Sequence, residues 1–339
     1  DAIRKEAEQS GWGYLVEDPE DLSEVPTLLR SPRWMSIVHP IFRFMGTIPG
    51  YYEYDISLPF LIFFTIFFAM LIGDAGYGLV YAGMTWLLSR KFKDAPREPF
   101  ILFYVLSAAT VVWGVSSGVY FGCESIGQLP VLRSLVVPRL NGFVDANSSF
   151  IMLLTFIIAV AHLTVARMMV VVKYLRSSRA VAEMGWIMII WTMFFMAGKL
   201  VLGRPFPQVM TWVFALGFCM VLFFANFQKN IIKGALATLI NLPLSVVSAF
   251  SDVVSYLRLF AVGVATVVVA VSFNAMVADM ASGSIIGMVA AGVVLLFGHS
   301  LNLALGVMAV VVHGLRLNML EFSGHLGMEW SGREYDPFR

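Results

Sequence analysis

The sequence predicts an all-α polytopic membrane protein of about eight spanning helices, the last two long and strongly tilted. Three observations carry that prediction. Hydrophobic residues make up 59% of the 339 and charged residues only 13%, with a mean hydropathy of +0.80, whereas a soluble domain carries about 45–50% apolar and about 25% charged residues. Apolar runs of spanning length follow one another along the chain. The last two each enclose an arginine, Arg258 and Arg316, which costs roughly 2.5–17 kcal/mol inside a bilayer and is therefore kept for ion handling or for a charged partner.

Residues 1–56 are mixed and polar, with an acidic run (Glu17, Asp18, Glu20, Asp21, Glu24) and five prolines. They read as a cytoplasmic or interfacial segment, and residues 57–339 as a transmembrane ion-translocation domain. The opening at Asp1 has no basic, apolar leader and reads as a cut inside a longer protein. Apolar runs then lie at about 58–73, 75–89, 100–121, 150–174, 181–202, 207–227, 244–280 and 285–322, set against the roughly 17–25 residues that a span needs. The first two are short and meet at Gly73-Asp74-Ala75-Gly76-Tyr77-Gly78. Charge decides between one broken helix and a hairpin. With eight spans, the loops holding Arg90, Lys91, Lys93 and Arg97, then Lys173, Arg176 and Arg179, then Lys229 and Lys233 all fall on one side, the cytoplasmic side by the positive-inside rule. A hairpin with both ends of the chain cytoplasmic follows.

Helical spacing marks one face on each arginine helix. On the seventh, Asn241, Ser245, Ser248, Asp252 and Ser255 lead to Arg258, with Thr266 two turns later; on the eighth, His299, Asn302, Gly306, Ala309, His313 and Arg316 recur every three or four residues. Small residues at this spacing are commonly a packing seam between helices. That does not account for the arginines, Asp252 or the histidines. About 37–39 helical residues reach roughly 55 Å, beyond a core of about 30 Å, so straight, embedded helices would tilt by roughly 45–60°. Arginine does not usefully lose its proton, but it lowers the pKa of a carboxyl group brought beside it. It can thus strip a cation from a passing carboxylate.

These residues resemble the membrane domain of subunit a, or subunit I, of the V/A-type rotary ATPases of prokaryotes. The resemblance rests on Ser-Tyr-Leu-Arg-Leu-Phe-Ala at 255–261, His-Gly-Leu-Arg-Leu-Asn-Met-Leu-Glu-Phe at 313–322, the ending Gly-Arg-Glu-Tyr-Asp-Pro-Phe at 332–338, and the glycine-rich turn at 73–78. It implies a stator subunit without a catalytic centre of its own. In such a subunit Arg258 and Arg316 face the ion-carrying carboxylates of a rotating proteolipid ring, between two offset half-channels. Implied partners are that ring, the peripheral-stalk subunits and central-stalk complex on the cytoplasmic side, and the lipid of a prokaryotic plasma membrane. No cofactor is implied beyond the transported ion, H+ or Na+. The inner half-channel is expected at Ser248, Asp252, Ser255, Asn318 and Glu321, the outer at Asp74, Glu124, Thr266, Asn274 and Asp279, with His313 a possible relay. The sequence departs from the eukaryotic pattern at Gly306, where an acidic residue is expected, and at Thr266, where a histidine is. The family's large N-terminal half is represented only by residues 1–56.

Competing readings are a stand-alone anion channel or secondary transporter using the arginines as its substrate site, and a structural anchor whose arginines pair with Asp252 and Glu321. The ring-facing reading expects the arginine face exposed and without an internal carboxylate. Asp74 serves equally well as a turn cap. Glu183, Lys199, His39 and His325 are expected at the interface, His162 in a hydrogen bond between helices, and Cys123 and Cys219 as inert packing residues. With a net charge of +1 and no basic block, nucleic acid is excluded as a partner. No GxxxxGK[ST] loop is present, so ATP would be handled elsewhere. Single cysteines replacing Lys93 and Asn141, on a background lacking Cys123 and Cys219, should label from opposite sides of the membrane; labelling from one side would overturn the eight-span topology.

Overall fold

Each apolar run of the sequence is helical. The computed structural model describes residues 2–15, 25–28, 31–32, 34–226, 231–280, 284–333 and 335. The acidic run at 17–24, Arg30, Arg33, Lys229 and most of the closing motif lie outside the described residues. After α1 (Ala2–Ser10) and α2 (His39–Met45) come α3 (Ser57–Ile72), α4 (Ala75–Lys91), α5 (Arg97–Ser117), α6 (Ser148–Lys173), α7 (Ser178–Leu202) and α8 (Val209–Phe224). Then follow α9 (Ile231–Ser255), α10 (Leu257–Met280) and α11 (Ile285–Ala309). α9 and α10 form one apolar stretch of 43 residues, Thr238–Met280, and α11 continues to Leu326 as one of 42.

By length and apolarity five helices can cross a membrane, or six when the bent pair α3–α4 counts as one span. The pair turns through 119°. Its halves hold 16 and 17 residues and α8 holds 16, roughly 24–26 Å at 1.5 Å per residue, just short of a core of about 30 Å. The turn is built locally. Gly73 ends α3 in the left-handed region at φ 68°, open to glycine without strain, and Asp74 caps α4 by accepting from Gly76 N at 2.7 Å and Tyr77 N at 3.2 Å. α5 packs closely against this turn, because a methyl group on Gly114 would overlap the backbone of Ala75.

The segment before α3 meets the last described residues at one end of the bundle. Thr27 N donates to Arg333 O at 2.8 Å and Gly332 N to Ile48 O at 3.1 Å, while Glu53 Oε1 accepts from Glu329 N and Trp330 N. Lys173, at the end of α6, reaches Tyr52 O at 2.7 Å. The loop after α5 and the later turns of α10 lie at the other end, where Asn274 donates to Phe121 O. Ile37, Val38, Phe42 and Ile56 join the hydrophobic core, so the stretch before α3 packs with the helices and is not merely laid along them.

The middle of the core is aromatic. His162 stacks between Phe63 and Phe322, centroids 4.0 and 4.3 Å away, and its Nδ1 lies 2.8 Å from the hydroxyl of fully buried Tyr256. That agrees with an interhelical hydrogen bond. Tyr256 stands at the join of α9 and α10, which therefore breaks where the chain is best anchored. A valine at Gly114 should cost at least the roughly 1–3 kcal/mol of an overpacked core, seen as loss of folded protein in detergent. A valine at Gly83, which has open space around it, should not; equal behaviour of the two would contradict the packing described.

Candidate functional site

Arg258 begins α10 two residues past the Tyr256 break, and Arg316 lies between two π-helical turns, Val310–Gly314 and Leu317–Phe322. Such turns are rare and occur often at functional sites. The winding has a geometric consequence. Five residues of α-helix would carry Glu321 about 140° around the axis from Arg316; i→i+5 winding returns it almost to the same face. Glu321 Oε1 lies 3.4 Å from Arg258 Nη2 and 3.8 Å from Arg316 Nε.

The two guanidiniums thus converge on one carboxylate oxygen. The expectation of no internal carboxylate is corrected, and the reason is the π turn, which α-helical spacing does not foresee. The expected exposure is present: the side chains of Arg258 and Arg316 are 28% and 54% exposed, against 6% for Glu321. Two positive charges facing one negative charge leave one in excess. Arg258 Nη1 and Glu321 Oε2 are buried without a hydrogen-bond partner among the described residues. Half-buried His313 lies within electrostatic reach of both arginines.

Toward the end of the bundle where those segments meet, a cavity of about 360 Å³ is lined by Ser248, Asp252, Glu321, Arg167 and His325, among others. Arg167 Nη1 donates to Glu183 Oε2 at 2.7 Å and its Nε to His325 Nδ1 at 3.0 Å. His325 Nε2 then donates to Asp252 Oδ2 at 3.0 Å. The sequence reading placed Glu183 and His325 at the interface. Both are buried, at 7% and 6% exposure, because Arg167 of α6 bridges them. Arg167 carried no periodic signal. Ser255 donates to Asp252 O and also lies beside the Glu321 carboxylate. Asn318 does not line the cavity: it is fully buried and its Nδ2 bonds back to Gly314 O at 3.2 Å.

Toward the other end lies a chain of neutral groups. Asn302 Nδ2 donates to Thr266 O at 2.8 Å and to the Tyr77 hydroxyl at 2.9 Å. That hydroxyl meets His299 Nδ1 at 2.7 Å, His299 Nε2 meets Asn274 Oδ1 at 3.1 Å, and Asn274 Nδ2 donates to Phe121 O at 2.7 Å. Since Tyr77 accepts from Asn302, it donates to Nδ1, which puts the histidine proton on Nε2. Thr266 and Asn274 are linked through Asn302, Tyr77 and His299, which come from the glycine-rich turn and the eighth helix. Asp74 is 1% exposed and acts as the cap, its Oδ2 also holding Gly122 N at 3.0 Å. Glu124 and Asp279 are exposed and take no part in this chain of hydrogen bonds, Glu124 accepting from Gln128 in the loop. Gly306 turns inward beneath the Tyr81 hydroxyl, so the upper part of the eighth-helix stripe is a packing seam. Burial, with Asp74 nearby, pushes the thiol of Cys123 up from its ordinary range. Among the described residues no three His, Cys, Asp or Glu side chains gather as a metal site.

Only 11% and 22% of the apolar windows of the last two long helices are buried, against 33–39% in α5, α6 and α7. Together these features define an all-helical membrane protein that presents two arginines on an uncovered edge between a charged cluster and a neutral one. No family model matches the chain. It is 37% identical to the V-type ATP synthase subunit I of Borreliella burgdorferi, covering all of this chain and 58% of that protein. It is 34% identical to V-type ATP synthase subunit I 1 of Treponema pallidum (all of this chain, 55% of that protein) and 26% identical to the A-type ATP synthase subunit I of Methanocaldococcus jannaschii (99% and 52%). Over its whole length the chain is a homologue of subunit I of the prokaryotic V-type and A-type ATP synthases, and it spans a little over half of those relatives.

Replacing Arg167 with Ala should strand buried Glu183 and cost about 3–5 kcal/mol, measured by thermal unfolding in detergent. The double replacement of Arg167 and Glu183 by Ala should recover most of that loss. Additive losses would show that the pair does not hold the cluster.

Proposed function

We propose that this chain is the membrane stator portion of a rotary ATP synthase. In this reading it has no catalytic centre, and it passes H+ or Na+ between the two faces of the membrane by way of a rotating proteolipid ring. The observation that carries the reading is the convergence of Arg258 and Arg316, with one positive charge in excess, on a helical edge that the rest of the chain leaves uncovered. A ring carboxylate passing that edge ionises beside the arginines and releases its cation. Asp252, Ser248, His325, Arg167 and Glu321 form the inner half-channel, and Thr266, Asn302, Tyr77, His299 and Asn274 the outer one. Along the continuous stretch of α9 and α10, Arg258 stands about 9 Å from Asp252 and about 12 Å from Thr266, by a rise of 1.5 Å per residue. The arginines thus sit between the inner and outer half-channels.

The cation-rich loops support a reading in which both ends of the chain lie on the cytoplasmic side of a bacterial or archaeal plasma membrane, where peripheral-stalk and central-stalk subunits would dock. The long last helices, at roughly 63–65 Å, lie strongly tilted across the ring. An anchor held together by internal ion pairs is the weaker reading, because Glu321 neutralises only one of the two arginines, and Asp252 is engaged by His325.

Arg258→Ala in the full-length protein should leave the complex assembled but abolish ion pumping in reconstituted vesicles. Arg258→Lys should restore little, since lysine lacks the planar fork and sheds its proton when buried. Normal pumping by the alanine variant would refute the assignment.

A further inference from the structure

Glu321 occupies an unusual position. It is almost fully buried, yet its Oε1 serves both arginines, and it reaches them only because the helix is wound as a π turn from Leu317 to Phe322. Its other oxygen and Arg258 Nη1 are buried without a hydrogen-bond partner among the described residues. Arg258 therefore keeps a donor that the internal ion pair does not consume.

We propose that Glu321 is a positioning residue, a resident counter-anion that clamps the two guanidiniums together and trims their charge, so that the site binds one incoming carboxylate and can also release it. This rests on the reading of the arginine edge as the surface that meets a ring carboxylate. Without Glu321 two fixed positive charges would stand side by side in a poorly hydrated setting, where charge attraction is strong. A carboxylate would arrive readily and leave slowly. Ion paths need binding that is favourable on arrival and weak enough for exit. With Glu321 in place the net charge is that of a single arginine, carried by a pair whose donors are spread along the direction of passage. The clamp also accounts for the second arginine, whose half-exposed guanidinium is otherwise free to swing into water.

The test is a double-mutant cycle in the assembled, full-length complex in vesicles, measuring ATP-driven ion uptake for Glu321→Gln, Arg316→Gln and the double variant. Glu321→Gln should assemble and pump about tenfold more slowly, the scale of a close charge-pair coupling. Arg316→Gln should also pump slowly, its remaining guanidinium being neutralised by Glu321. The double variant, whose net charge equals that of the unmodified site, should pump faster than either single variant, the coupling expected of charges that share one salt-bridge network. The inference is overturned by uptake at the unmodified rate in Glu321→Gln, by losses that multiply in the double variant, or by failure of both Glu321→Gln and the double variant to assemble, which would make the carboxylate a requirement of the fold. Failure of the underlying reading looks different: there Arg258→Ala pumps normally, whereas loss of pumping in Arg258→Ala beside full activity in Glu321→Gln removes only the clamp.

Discussion

A guanidinium within a membrane protein cannot discard its charge, so everything around it must either supply a counter-charge or leave the charge accessible. This chain does both at one point. Glu321 supplies a single counter-charge to Arg258 and Arg316, and the remaining positive charge stays at the uncovered edge of the last two long helices. The irregularities of those helices follow from this. The helix is interrupted at Tyr256 just before Arg258, and the π turns around Arg316 bring a carboxylate five residues away toward its face. Tyr256 is itself fixed by His162, which is held between Phe63 and Phe322. An aromatic core with no charge of its own therefore sets the position of the charged edge.

Most of the architecture was legible in the sequence because it is written in apolar runs and in two-residue signals. Gly73-Asp74 reads as a sharp turn with a capping carboxylate, and it is one. The long final helices follow from run length alone. Three things were hidden. Spacing rules assume 3.6 residues per turn, so Glu321 was offered as a partner of the arginines only under the anchor reading, and the winding that brings it to Arg316 was not foreseen. Arg167 and Glu183 lie on different helices with no shared period: Arg167 carried no signal, and Glu183 near a helix end reads as interfacial until the two are seen 2.7 Å apart. Glu124 and Asp279 were chosen for charge and approximate depth, which are weak guides in a loop and at a helix end. Neutral groups proved the better partners there: Tyr77, His299 and Asn302 carry the hydrogen bonds, and an acidic residue at Gly306 would have met the Tyr81 hydroxyl.

The two polar clusters differ in kind, and the difference bears on how an ion would move. At the end shared with the last described residues the links are charged: Glu183, Arg167 and Asp252, joined through His325. Arg167 donates to His325 Nδ1, so that nitrogen is an acceptor and the ring carries its proton on Nε2. A second proton could be accepted only by displacing Arg167. At the other end every link from Asn302 to Asn274 is neutral, and the donors all point the same way, toward Phe121 O.

A one-way file of neutral donors transmits a proton only if each member reverses, whereas a charged cluster offers a fixed field and little net reorientation. On the proposed reading, the inner and outer half-channels therefore present different barriers to the same ion. Leu259, Leu315 and Leu317 beside the arginines are buried, and on the same reading the net positive charge of the Arg258–Glu321–Arg316 group would repel a cation that attempts the crossing unaccompanied. An ion that arrives bound to a carboxylate has no such difficulty, since the carrier is attracted where the bare cation is repelled. The same excess charge that would bind a carrier thus closes the shortcut, which makes the sign and size of that charge, and hence the burial of Glu321, the quantity on which coupling turns.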